Sequence, residues 1–124
     1  MAQHNAIGKL GEEKAKEYLE KQGYKIIDKN WKTKRAEIDL VAQKKNVLAI
    51  VEVRSTVGEQ YGTPEETLDP QKQWKLRHNA KAYVAYRKYN GLYRIDAVCV
   101  VFRGDGSEIP FRLTHYENIV QDKN

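Results

Sequence analysis

The chain has 124 residues, of which 40% are hydrophobic and 31% charged, and its formal net charge is +5. This length predicts one domain over residues 1–124, and the composition excludes a disordered chain. The longest apolar runs, such as Ala97 to Phe102, are too short to span a bilayer, and the single cysteine, Cys99, excludes a disulfide framework. We therefore expect a globular cytoplasmic protein with no membrane partner.

The first predicted element is a helix over residues 5–22 that ends at Gly23. Glu12 borders the apolar stripe of this helix, whereas Glu13 lies on its solvent face. A carboxylate at the edge of a core needs a partner. Pairing with Lys9 or Lys16 is one explanation of Glu12, and a functional role is the other. The predicted stripe consists of Ile7, Leu10, Ala15, Tyr18 and Leu19.

A short strand, Tyr24 to Asp28, and a basic loop, Lys29 to Arg35, precede a predicted β-hairpin. Its first strand, Ala36 to Ala42, alternates apolar and polar residues, and its second, Val47 to Arg54, is rich in β-branched residues. Residues 43–46 form the expected four-residue loop between them.

The carboxylates of this hairpin fall on one face. Side chains alternate along a strand, so Glu37 and Asp39 point to the same side. If Ala42 pairs with Val47, then Asp39 lies opposite Ile50. Glu37 then lies opposite Glu52, which makes Asp39 a diagonal neighbour of Glu52. Diagonal neighbours are roughly 7 to 8 Å apart, which is close enough for two carboxylates to hold one divalent cation.

After a polar loop from Ser55 to Gly62, two sites of helix initiation follow, Thr63-Pro64 and Asp69-Pro70. The second begins a long helix to about Tyr89. Residues 70–95 contain seven basic residues and no acidic residue, a distribution typical of proteins that bind polyanions such as nucleic acids. A solvated basic face is the alternative interpretation. The predicted nucleic-acid-binding residues are Lys72, Lys75, Arg77, Lys81, Arg87 and Lys88.

Two strands complete the chain. Arg94 to Phe102 is nearly all apolar and predicts a strand buried on both faces. Asp96 within it is expected to pair with Arg94 or with a helix. Residues 108–113 form the last strand, which Pro110 marks as an edge strand. The order α, β, β, β, α, β, β predicts the α/β class, with a mixed central sheet flanked by helices.

Several motifs, in this order, resemble the YraN family of small bacterial proteins. They are Gly11-Glu12, Tyr24 to Trp31, Ala36 to Ala42, Val51 to Arg54, Lys72-Gln73 and Arg94 to Asp96. The resemblance covers residues 5–120. It implies a restriction-endonuclease-like fold with an αβββαβ core and a PD-(D/E)XK type of active site, related to archaeal Holliday-junction resolvases.

The same resemblance implies roles for individual residues. Glu12, Asp39 and Glu52 resemble metal ligands, and the expected metal is Mg²⁺ or Mn²⁺. Asp39, Glu52 and Arg54 stand at the catalytic positions. Arg54 departs from the family, which carries lysine there. Arginine keeps the positive charge but is bulkier, planar and always protonated. Two further departures are Ala36, in place of glycine, and Thr56, in place of a basic residue.

Three hypotheses follow. The leading one is a DNA-binding protein of the endonuclease-like fold that acts as a metal-dependent nuclease on branched or single-stranded DNA. The second is a non-catalytic DNA-binding module whose site is disabled at Arg54. The third is a protein-interaction adaptor that uses the basic helix. A homodimer is expected only by analogy, because junction nucleases need two active sites.

Overall fold

Two long helices and five strands follow one another in the predicted order in the computed structural model, which describes residues 2–120. The predicted α/β class is thereby confirmed. No helix in these residues is both long and apolar enough to cross a membrane. The elements are α1 (Ala2–Lys21), β1 (Lys25–Lys32), β2 (Glu37–Lys44), β3 (Val47–Val57), a 3₁₀ helix (Pro64–Thr67), α2 (Pro70–Arg87), β4 (Leu92–Phe102) and β5 (Pro110–Tyr116).

The five strands form one mixed sheet in the order β1-β2-β3-β4-β5. Neighbouring strands are antiparallel except β3 and β4, which are parallel from the pair Val47 and Leu92 to the pair Val57 and Phe102. The crossover through α2 is what allows this parallel pair. Residues 95–102 of β4 are buried, as expected for a central strand, and β5 lies at the edge where Pro110 places it.

The helices cover opposite faces of the sheet. Ala15 and Leu19 of α1 pack in one core cluster with residues such as Val51. Leu76 and Tyr83 of α2 pack in the other cluster, with β-sheet residues that include Ile50. Adjacent residues of β3 therefore point into different clusters, as strand geometry requires. The predicted apolar stripe of α1 is confirmed, because all five of its residues belong to the first cluster or pack against it.

The predicted register of the hairpin is wrong. Lys44, not Ala42, pairs with Val47, so the turn contains two residues rather than four. Lys45 makes this tight turn by adopting a left-handed conformation, with φ of 56°. Ala42 therefore pairs with Ala49.

This register also changes the neighbours of the predicted site residues. The β2–β3 ladder ends at the pair Leu40 and Val51. Continuing the same register places Asp39 directly opposite Glu52 rather than opposite Ile50. Glu37 pairs with Lys32 of β1 instead of facing Glu52.

All five strands are longer than predicted, and β1 and β3 exceed their predicted lengths the most. β1 continues through Lys32, into the segment expected to be a basic loop, because it pairs along its length with β2. β3 continues to Val57, through the start of the expected polar loop, because the parallel ladder with β4 runs to the pair of Val57 with Phe102.

Candidate functional site

The candidate site lies where β2 and β3 stop pairing with each other. Asp39 is the first residue of β2 beyond the last ladder pair, and its side chain, rather than its backbone, forms the hydrogen bond to β3. The Asp39 Oδ2 atom accepts a hydrogen bond of 2.8 Å from the backbone N–H of Val53. One carboxylate oxygen is thus fixed against β3, next to Glu52.

Glu52 is buried and is contacted by two cations. Its Oε2 atom lies 3.1 Å from Lys72 Nζ and 3.3 Å from Arg54 Nη1. The Arg54 guanidinium is held at its other edge, because its Nε donates a 2.8 Å hydrogen bond to Thr67 Oγ1. Thr67 in turn donates to the Pro64 carbonyl, so the 3₁₀ helix orients the arginine.

The negative charges of the site are close enough to perturb one another. Burial, followed by the charge of Glu52, raises the pKa of Asp39 to about 8. The hydrogen bond from Val53 acts against this rise, and the more distant charge of Glu12 adds to it. A carboxyl group with a pKa in this range is typical of functional sites, where like charges are held together.

Glu12 reaches the site from α1 because the preceding residue has no side chain. A Cβ atom on Gly11 would lie 1.8 Å from Ser55 Oγ and 2.9 Å from Ser55 Cβ. Glycine therefore lets α1 approach β3 more closely than other residues would. Burial raises the pKa of Glu12, a hydrogen bond with Asn30 opposes the rise, and the charge of Glu52 adds to it.

The three predicted metal ligands therefore lie in one region, but they do not form a ready-made set of ligands. Within residues 2–120, no three Asp, Glu, His or Cys side chains form a group that could hold a metal ion. The donors are nevertheless oxygen atoms, the type that Mg²⁺ and Mn²⁺ prefer, and Mg²⁺ commonly uses only one or two protein carboxylates. The chemistry of Asp39 and Glu52 fits such a cation, and the role of Glu12 stays a prediction.

The six predicted nucleic-acid-binding residues of α2 do not share one face. Lys72 points into the carboxylate site, and Lys75 is exposed on the adjacent turn. Lys81 follows Lys72 by about two and a half turns, so it projects to the other side of the helix. Arg87 and Lys88 lie at the C-terminal end of α2, where the Arg87 guanidinium is 6.0 Å from the centre of the Tyr83 ring.

Two contacts of the site were missed from the sequence. The first is the ion pair of Lys72 with Glu52. Asp69, whose side chain accepts a hydrogen bond from Lys72 N–H, marks Lys72 as a first-turn residue, but nothing in the spacing indicates where its ammonium group points. The second is Thr67, whose hydroxyl group contacts Arg54. The Thr63-Pro64 signal predicts a helical turn here but not this contact.

Comparison with known proteins gives a consistent result. Residues 11–100 match the uncharacterised protein family UPF0102, and this range includes Glu12, Asp39, Glu52, Arg54 and Lys72. A UPF0102 protein of Flavobacterium johnsoniae is 46% identical over 88 residues, which cover 71% of this chain and 72% of the relative. A UPF0102 protein of Flavobacterium psychrophilum is 36% identical over 95% of this chain and 96% of its own length. One from Pelotomaculum thermopropionicum is 38% identical over 90% and 92%.

Proposed function

The chain belongs to the uncharacterised protein family UPF0102, the YraN family, and we propose that it is a metal-dependent nuclease of branched or single-stranded DNA. One observation carries the proposal: Asp39 adjoins Glu52 where two strands diverge, and Lys72 and Arg54 converge on one oxygen of Glu52. Paired carboxylates beside fixed cations are the elements that hydrolysis of a phosphodiester requires.

Asp39 and Glu52 are the residues that would hold Mg²⁺ or Mn²⁺, with Glu12 as the third predicted ligand. When bound, such an ion lowers the pKa of a water molecule and offsets the negative charge that develops on the phosphoryl group. The protein's own contribution is to hold the carboxylates in place. Val53 N–H fixes one oxygen of Asp39, and the close packing of Gly11 on Ser55 fixes the approach of Glu12.

Lys72 supplies the ammonium group that the family resemblance expects at position 54. Its Nζ lies 3.1 Å from Glu52 Oε2 and so stands beside the carboxylate on which catalysis depends. An ammonium group on a flexible stem can shift from a carboxylate to a developing phosphoryl charge more easily than a planar guanidinium. Arg54 instead acts as a positioning residue, because Thr67 and Glu52 together fix its orientation.

A second candidate function is DNA binding without hydrolysis. The observation that favours it is the double attachment of the Arg54 guanidinium, to Glu52 and to Thr67, which leaves it little freedom to reach a substrate. In this case the basic residues of α2 would still bind DNA through its phosphates, and binding would weaken as the salt concentration rises. Both functions place the protein on DNA in the cytoplasm. The adaptor hypothesis requires instead that DNA does not bind even at low salt.

The decisive experiment is incubation of the full chain with branched, flap and single-stranded DNA in Mg²⁺ or Mn²⁺. We expect Glu52→Gln to reduce the cleavage rate about 100-fold or more, because it removes the charge while keeping the shape. Lys72→Gln should cause a comparable loss, and Glu13→Gln, on the exposed side of α1, should have no effect. Cleavage that persists in Glu52→Gln would identify a contaminating nuclease.

Arg54→Lys distinguishes the two candidate functions. If the wild-type protein binds DNA without cutting it and Arg54→Lys cuts, the site is intact apart from this residue and the binding module is the correct assignment. If the wild-type protein cuts and Arg54→Lys does so at a similar rate, Arg54 has only a positioning role. Loss of cutting in Arg54→Lys would show that the guanidinium itself is required.

A further inference from the structure

A small basic cavity lies beside the candidate site, between the β1–β2 connection and α2. Its volume is about 180 Å³. Four cationic side chains, one carboxylate and one neutral amide contribute to its lining, together with Thr33 and Ala36. The charged and amide residues are Lys32, Lys34, Arg35, Lys75, Glu37 and Asn79. We refer to this feature as the Asn79 cavity.

Asn79 gives the cavity a polar group that has no partner. Its side chain belongs to α2 and is 3% exposed, yet its Oδ1 atom forms no hydrogen bond with any described residue. A buried polar atom left in this state costs free energy. Rotation of the amide by 180° exchanges the oxygen for the NH₂ group, which can donate to an anion.

The cations of the cavity are also available for a ligand. Lys32, Lys34, Arg35 and Lys75 are exposed, and in the described part of the chain none of them forms an ion pair. Glu37 is the one carboxylate in the lining, which leaves a net charge of +3. Such a concentration of unpaired positive charge favours an oxyanion as the ligand.

The connection between β1 and β2, which carries Lys34 and Arg35, has a defined shape. Thr33 Oγ1 accepts hydrogen bonds from the N–H groups of Arg35, at 3.2 Å, and Ala36, at 3.1 Å. Thr33 N–H donates to the Ala36 carbonyl at 2.8 Å. The turn between β1 and β2 is thereby closed by its own backbone, and it holds the side chains at positions 32, 34 and 35 beside α2.

The Asn79 cavity is adjacent to the candidate site along both elements that form it. Glu37 precedes Asp39 by two residues of β2, a distance of about 7 Å along a strand. Lys75 follows Lys72 by three residues of α2, a rise of about 4.5 Å. A polyanion that reaches Asp39 and Lys72 therefore has its next charges within reach of this cavity.

We propose that the Asn79 cavity binds a phosphate group of a single-stranded DNA backbone, next to the phosphodiester at the candidate active site. This inference rests on the proposed function. Lys34, Arg35 and Lys75 neutralise the phosphate, and the Asn79 amide donates a hydrogen bond to it. The cavity thus sets the path of the strand across the sheet, and it carries no sequence preference, because it contacts only the backbone.

The test measures DNA binding in the absence of metal, so that it does not depend on hydrolysis. Binding of a fluorescent 12-nucleotide oligothymidylate to the full chain is followed by anisotropy in EDTA, from 50 to 200 mM salt. Lys34→Gln and Lys75→Gln should each weaken binding roughly three- to tenfold and reduce the slope of log K against log salt by about 0.7. Lys21→Gln, an exposed lysine at the C-terminal end of α1, is the control with the same change of charge and should change neither quantity.

Two further variants test the lining of the cavity. Glu37→Gln should strengthen binding, because it removes the only negative charge there. Asn79→Asp should weaken binding more than Lys75→Gln does, because it places a carboxylate beside the phosphate. Thermal unfolding controls for misfolding of the buried variant, and the exposed Lys34→Gln variant provides the result if Asn79→Asp does not fold.

The outcomes separate this inference from the proposed nuclease activity. Equal losses for Lys21→Gln and Lys75→Gln would overturn the cavity as a site, because the binding would then be diffuse. Inorganic phosphate provides a second comparison, by amide chemical shifts of residues 32–37. If it binds there while the variants leave DNA binding unchanged, the ligand is free phosphate and the backbone proposal is wrong. Absence of cleavage in Mn²⁺, with the cavity effects intact, would overturn hydrolysis alone.

Discussion

Asp39 and Asp96 lie on strands of the same sheet, separated by β3, and they differ in their surroundings. Asp96 is fully buried and accepts hydrogen bonds from Arg94 Nε at 2.9 Å and from Asn118 N–H at 2.9 Å, while His115 Nε2 lies 2.9 Å from its other oxygen. Asp39 accepts a 2.8 Å hydrogen bond from the backbone N–H of Val53 and lies beside another carboxylate, Glu52.

These surroundings shift the two pKa values in opposite directions. Burial on its own would raise the pKa of Asp96, but hydrogen bonds from His115, Arg94 and Asn118 outweigh it and hold the pKa below its usual value. Burial likewise raises the pKa of Asp39, and there the charge of Glu52 adds to the rise. Partners rather than depth therefore decide whether a carboxylate inside this sheet is stabilised as an anion.

The two groups also lie on different faces of the sheet. Asp96 pairs with Val51 across the parallel ladder, so both side chains point towards α1. Glu52, the next residue of β3, points the other way and meets Lys72 of α2. The network around Asp96 is satisfied, whereas Asp39 and Glu52 are carboxylates held together at a cost in stability. Carboxylates held together in this way are typical of functional sites, in agreement with the role proposed for Asp39 and Glu52.

The largest expected effect is that of Asp96→Asn. It removes the charge that pairs with Arg94 inside the protein, and we expect the free energy of unfolding to fall by about 3 kcal/mol at pH 7. Because the pKa of Asp96 is lowered in the folded state, its contribution is complete above about pH 4 and is lost as the pH falls below that value. Urea unfolding of both proteins from pH 3 to pH 7 should therefore show a difference that shrinks in acid.

The matched control for Asp96→Asn is Glu117→Gln. Glu117 is 3.8 Å from the same guanidinium, but its side chain is 61% exposed. An exposed pair of this kind contributes at most a few tenths of a kcal/mol. A loss in Asp96→Asn no larger than that in Glu117→Gln would contradict the structural role of the buried carboxylate.

Gly11→Ala has the second-largest expected effect, and it tests how Glu12 is brought to the site. The new Cβ would lie 1.8 Å from Ser55 Oγ, so α1 or β3 must move, at a cost of about 2 kcal/mol. Gly8→Ala is the control on the same helix, since a Cβ there meets nothing within 4 Å. It should stabilise the protein by up to about 1 kcal/mol through helix propensity. Thermal unfolding separates the two outcomes, and equal shifts would disprove the close contact.

The sequence was sufficient to predict the class, the order of elements, the apolar stripe of α1 and the edge position of β5. These features depend on local periodicity and on residues such as Pro110, which act within a few positions. The hairpin register was not predictable, because it depended on Lys45 adopting a left-handed conformation that is uncommon for lysine.

The contacts of the candidate site were predictable only in part. The alternation of β2 and β3 placed Asp39 near Glu52, and the edge position of Glu12 on α1 marked it as unusual. The direction of Lys72 was not predictable, because it depends on how α2 lies against the sheet. Arg94, two residues away, was predicted as a partner of Asp96. His115 was not, because it is distant in the sequence.

Asp39→Asn should have an effect opposite in sign to that of Asp96→Asn. The raised pKa means that the folded protein loses stability as the pH rises from about 4 to about 8, where the aspartate ionises beside Glu52. The substitution removes this charge, keeps an acceptor for Val53 N–H and offers a donor to Glu52. We expect stabilisation of about 1 to 2 kcal/mol at pH 8 and little change at pH 4. Urea unfolding at the two pH values measures it, and destabilisation at pH 8 would contradict the comparison.

The same variant also tests the metal. Calorimetric titration of Mn²⁺ into the wild-type protein should show a binding event that Asp39→Asn abolishes, because a neutral amide is a much weaker ligand than a carboxylate. A protein that is more stable but no longer binds Mn²⁺ would be the clearest sign of a functional group kept at a cost in stability. Mn²⁺ binding that survives the substitution would place the ion elsewhere.

Glu12→Gln is expected to have the smallest effect, and it tests whether Glu12 is the third metal ligand. Because burial already raises the pKa of Glu12, and Glu52 raises it further, removing its charge should stabilise the protein by roughly 0.5 kcal/mol at pH 7. It should also lower the pKa of Asp39, to which Glu12 contributes less than Glu52 does. Glu13→Gln changes the neighbouring exposed residue and should alter neither quantity.

If Glu12 is a ligand, Mn²⁺ affinity falls in Glu12→Gln but not in Glu13→Gln. If the affinity is unchanged in both, the metal is held by Asp39 and Glu52 without the helix, and Glu12 acts only through its charge.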